Sequence, residues 1–307
     1  MNPFKYVYLG IWGLFFWGRR RWGKVVFRKS PLPLHPQEHG DEIKDVLVLQ
    51  LKEKAERGEA QAQVDLGICY ANGAGVRMNY VSAAHWFRRA AENHHPLGQV
   101  NLGICYANGQ GVERNYDEAV KWFRLSADQG DYRAEVSLGV CYQNGQGVER
   151  SDAEAAKWFR RAAEQGHPLG QLSLASCYQE GRGVAPDPVE AALWLERAAT
   201  LGLAPAQLSL AQCYETGEGV TQDVAQAAHW FSLAAQQGLP GAQRRMGELC
   251  RDGRGVPRDL AEAYMWLATA ANHGEHEARE ELEQLKATMS AHQLEDGQAR
   301  QAQLRGK

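Results

Sequence analysis

Six cysteines are the first residues whose type and spacing suggest chemistry. Cys69, Cys105, Cys141, Cys177 and Cys213 follow one another every 36 residues, and Cys250 stands 37 beyond the last. Thiols in such number can form disulfides, hold zinc or act as nucleophiles. Equivalent positions in stacked helical units lie about 10 Å apart, whereas a disulfide needs Cα atoms within ~7 Å. The Cys-x-x-Cys spacing of zinc sites is absent. Catalytic roles do not recur at fixed intervals, but structural ones do. The pattern therefore reads as a small apolar side chain in a tight helix interface. A hydrolytic or redox site on Cys69 or Cys105 stays open as the alternative, decided by thiol reactivity. Reduced thiols favour the cytoplasmic side of a cell. His94-His95, His273 and His276 fall in loops between units and read as solvated, so no metal, cofactor or catalytic residue is expected.

The elements that position these cysteines repeat with them. Leu66-Gly67-Ile68-Cys69-Tyr70 returns as Leu102 to Tyr106 and Leu138 to Tyr142, and weakens at Leu174 to Tyr178 and Leu210 to Tyr214. Trp86, Trp122, Trp158, Trp194, Trp230 and Trp266 keep the interval. In the second copy Gly98, Leu102, Cys105 and Tyr106 share one helical face. Gly109 and Gly111 then close the helix. A Gly-x-Gly seen six times after a helix, with no strand before it, is a turn and not a phosphate loop. Asn115 and Glu118, Ser151 and Glu154, Asp187 and Glu190, and Asp259 and Glu262 are spaced as capping boxes for a second helix. That helix buries Ala119, Trp122, Phe123 and Ala127 and stops near Gly130. A period of this kind predicts an all-α solenoid of 36-residue helix-turn-helix repeats. Six full repeats are expected from about 60 to 275. Cap helices flank them within 42–303, residues 304–307 form a tail, and both ends are expected to be polar outside.

Ala134 to Tyr142, Gly145 to Val148, Ser151 to Phe159 and Ala162 to Gly166 together carry a pattern. It resembles the Sel1-like repeat family, a branch of the tetratricopeptide-like solenoids. The resemblance implies α/α repeats in a right-handed superhelix and a scaffold or adaptor role without one set activity. Some secreted members bridge two cysteines per repeat; this chain has one per repeat.

The net charge of −3 argues against a general nucleic-acid binder. Residues 1 to 30 hold seven Lys or Arg and no acid, so the rest is strongly acidic. Within this leader, residues 1–29, an apolar run from Tyr6 to Gly18 precedes Arg19, Arg20 and Arg21. As a helix it would reach about 20 Å, short of the ~30 Å bilayer core. Trp12, Trp17 and Trp22 beside those arginines suit a membrane interface, so membrane contact through residues 4–22 is expected, with the repeats on the cytoplasmic side. Residues 30–41, with three prolines, read as a linker.

One stripe of each first helix lies off the core face at i, i+3 and i+7. It runs Asp65, Ile68 and Asn72, then Asn101, Ile104 and Asn108, then Ser137, Val140 and Asn144. In helical solenoids such residues line the concave groove. Ile68, Ile104 and Val140 would offer an apolar row and the asparagines peptide-pairing amides. A protein or peptide partner on this stripe is the leading expectation. The competing expectation packs the isoleucines sideways against the next repeat.

Overall fold

The computed structural model describes residues 46–305. The membrane-contact residues Trp12, Trp17, Arg19, Arg20, Arg21 and Trp22 and the linker lie outside them. Among the described residues there are fifteen helices and no strand. They are α1 (Val46–Glu56), α2 (Ala60–Asn72), α3 (Tyr80–Glu92), α4 (Pro96–Asn108), α5 (Tyr116–Ala127), α6 (Tyr132–Asn144), α7 (Asp152–Glu164) and α8 (Pro168–Glu180). Then follow α9 (Pro188–Thr200), α10 (Ala204–Thr216), α11 (Val224–Gln236), α12 (Pro240–Asp252), α13 (Leu260–Asn272), α14 (His276–Lys286) and α15 (Ala291–Arg305). The chain divides into two compact units at Trp158/Phe159. In the first, α1 to α6 pack in chain order. In the second, α8 to α14 do the same, and α15 returns onto α13.

Within a repeat the two helices meet closely because the first carries glycine or alanine. A Cβ at Gly103 would press into the Phe123 ring of its own repeat, and one at Gly98 would meet the α3 backbone at Ala90 of the preceding repeat. The glycine cost in a helix, about 1 kcal/mol, is offset by this approach. The turn is equally constrained. Gly109 adopts φ 70° and its N–H closes α4 on Cys105 O. Gly111, at φ 72°, lies so near the Tyr80 carbonyl of the preceding repeat that a side chain would collide with it. The Gly-x-Gly is thus both turn and joint.

The second helices are capped as the spacing predicts. Asn115 Oδ1 accepts from Glu118 N at 3.1 Å, and Asp187 Oδ1 from Val189 N and Glu190 N. The reciprocal half of these capping boxes does not form. Asn115 N donates to Tyr106 O and Ser151 N to Tyr142 O, tying each second helix to the end of the first. Glu118 and Glu154 bind Lys121 and Lys157 instead. A complete box does form at the C-terminal cap: Ser290 N donates to Gln293 Oε1 and Gln293 N to Ser290 Oγ.

The N-terminal end departs from the expected polar exterior. Val46 is 67% exposed and Leu47 71%, because four consecutive apolar residues cannot all face inward at 3.6 residues per turn.

Candidate partner-binding face

The stripe of α2, α4 and α6 is half-buried more than presented. Ile68 and Ile104 each pack against a core cluster while remaining partly accessible, and Val140 is likewise half-buried. Asn72 is exposed, and Asn108 and Asn144 are half-buried. Asn101 departs from the expectation. It is only 7% exposed, and its Nδ2 donates to Leu97 O at 2.9 Å, a bond one helical turn back that draws the amide onto its own helix.

Asp65 opens the stripe. It receives a 2.9 Å hydrogen bond from Gln61 Nε2. Burial raises its carboxyl above the usual range, opposed by that bond and by His95. His95, the N-cap residue of α4, is pushed down by burial, with Asp65 acting against the shift. Beside them Arg133 is held by the buried Asp131 carboxylate. No group of three or more His, Cys, Asp or Glu residues among the described residues could hold a metal.

The corresponding face of the second unit is engaged differently. Arg245 pairs with Glu215 and Glu248, and Arg244 with Glu248, Glu277 at 3.1 Å and Glu281 at 3.0 Å. These charges neutralise one another within α10, α12 and α14.

The cysteines flank the stripe on the core side of the first helix, and none of the six is in a disulfide. Cys105 and Cys141 are buried, and burial pushes each thiol up to about 12. That is the reverse of nucleophile activation, which lowers a thiol towards neutral pH. Cys69 alone among them is half-buried.

Two ladders escaped the sequence reading. Tyr106 OH accepts from Arg88 Nη2 at 2.8 Å, Tyr142 OH from Arg124 at 3.0 Å, and Tyr178 OH from Arg160 at 2.8 Å. A second ladder of amides is partly buried. Gln63 Nε2 donates to Ala55 O, and Asn93 Nδ2 donates to Gln63 Oε1 at 3.0 Å. Gln99 with Gln129, Gln207 with Gln237 and Gln243 with His273 repeat the link. Both were visible only as constant offsets, of 18 and of 30 residues.

The sequence profile of the Sel1 repeat matches residues 60–95, 96–131, 133–167, 168–203, 204–239 and 240–275, which coincide with the helix pairs above. The chain belongs to the Sel1 repeat family. A Sel1 repeat protein from Oxalobacter formigenes is similar at 30% identity and TM-score 0.63, covering 73% of this chain and 96% of that one. An immunity protein from Pseudomonas aeruginosa, at 19% identity and TM-score 0.50 over 75% of this chain and 82% of that one, shares the fold. No curated protein matches. Among the described residues no helix of this Sel1 repeat chain is long and apolar enough to cross a membrane.

Proposed function

We propose that this Sel1 repeat protein is a non-enzymatic scaffold that captures a protein or peptide on the first-helix stripe of its first three repeats. The contact residues are Asp65, Ile68, Asn72, Asn101, Ile104, Asn108, Ser137, Val140 and Asn144. One contrast supports this reading: here the stripe keeps partly accessible apolar groups and a carboxylate with no Lys or Arg ion pair among the described residues, while the equivalent groups of the last repeat form an ion network. The leader, through Trp12, Trp17, Arg19, Arg20, Arg21 and Trp22, would hold the scaffold at a membrane surface on its cytoplasmic side.

The test is affinity capture from detergent-solubilised cells, comparing wild type with Ile68→Asn/Ile104→Asn after circular dichroism shows both folded. Loss of specific partners in the variant is the expected result. An unchanged partner list would remove the stripe as the binding site.

A further inference from the structure

The hydrogen-bonding polarity of the stripe says what kind of segment it suits. Apart from the amide of the exposed Asn72, its donors are already engaged or turned inward. Ser137 Oγ gives its only proton to Arg133 O at 2.8 Å, leaving just lone pairs. Asn101 Nδ2 bonds Leu97 O, and Asn108 Nδ2 bonds Gln110 Oε1. Asn144 Nδ2 is buried without a hydrogen-bond partner, so its carbonyl oxygen is the atom left for a ligand. Asp65 is a half-buried carboxylate whose one side-chain hydrogen bond comes from a neutral amide. The nearby cation, Arg133, is occupied by Asp131. Beside the Asn72 amide, what remains is a row of acceptors with one negative charge at its start, interleaved with Ile68, Ile104 and Val140.

We infer that the stripe binds an extended, basic and apolar peptide segment, with a Lys or Arg side chain on Asp65, backbone N–H groups on Ser137 Oγ and the Asn108 and Asn144 carbonyls, and aliphatic side chains against Ile68 and Ile104. This deepens the groove reading above and rests on it. An acidic segment would meet Asp65 with like charge and find no cation and only the Asn72 amide to receive its carboxylates, a mismatch that disfavours wrong partners. The partly desolvated carboxylate raises the value of a cation arriving there, because charge-assisted bonds strengthen as water leaves.

The purified full chain is used to select from a phage-displayed library of random nonapeptides, and winners are remade as free peptides for calorimetry. Enrichment of Lys or Arg together with aliphatic residues is expected, and Asp65→Asn should weaken those peptides about tenfold, the worth of one charge-assisted bond. Ile68→Asn/Ile104→Asn should abolish binding of the same peptides. Winners that are acidic or neutral, yet lost in the isoleucine variant, would overturn the basic-peptide inference and leave the groove standing. So would basic winners indifferent to Asp65→Asn. Winners insensitive to the isoleucine variant, or no winners at all, would overturn both.

Discussion

Cys105 and Cys141 show what one buried atom contributes to this chain. Water is withheld from both sulfurs, and each thiol rises from 9.0 to about 12. An acid raised on folding stabilises the fold while it stays protonated. Its contribution is complete below the unfolded thiol's value near 9 and disappears as the pH climbs towards about 12. Urea midpoints measured across that window should therefore fall, and Cys105→Ala/Cys141→Ala should flatten the fall. An unchanged slope in the variant would show that other groups cause it. Under iodoacetamide at neutral pH, Cys69 should react before the other thiols. A fast-reacting Cys105 would instead revive the redox or hydrolytic alternative.

The helix pair is the scale at which sequence and structure agree best and also part company. Turns, N-caps and the core face were legible because each depends on neighbours within about four residues. The capping-box acids misled because Tyr106 O, outside that window, takes the N–H that Glu118 would need. Asn101 misled for a related reason: period alone places a residue on a face but not its amide on Leu97 O. The amide ladder stayed hidden because its second rung varies, Asn93, Gln129, Gln237 or His273, across a 30-residue gap. One rung is missing. Leu201 occupies that position, 58% exposed, and Gln171 Oε1 beneath it is buried with no hydrogen-bond partner. Leu201→Gln should supply the donor and stabilise the protein by about 1 kcal/mol. A higher urea midpoint at constant slope is the expected signature, and no shift would mean the rung does not close.

At the scale of the whole molecule, the C-terminal helix closes the last repeat. In the second unit α15 lies on α13, Gly297 sits against Tyr264, and Arg300 bridges to the N-cap Asp259 at 2.8 Å. Removing residues 291–307 should bare Ala261, Tyr264 and Ala268, an apolar strip that a solenoid end does not tolerate in water. Self-association in light scattering with helical circular dichroism retained is the expected result; a monomeric truncation would mean the repeats cap themselves.

The Gly-x-Gly joint has a wider meaning. Because Gly111 meets the carbonyl of Tyr80, Gly147 that of Tyr116, Gly219 that of Pro188 and Gly255 that of Val224, these four repeats each dock on the one before through backbone and a missing side chain. Such a joint is indifferent to which repeat it joins. Insertion or excision of one 36-residue cassette by unequal recombination would leave the joints matched, so the lineage can change the length of its array while each stripe drifts independently towards a new ligand.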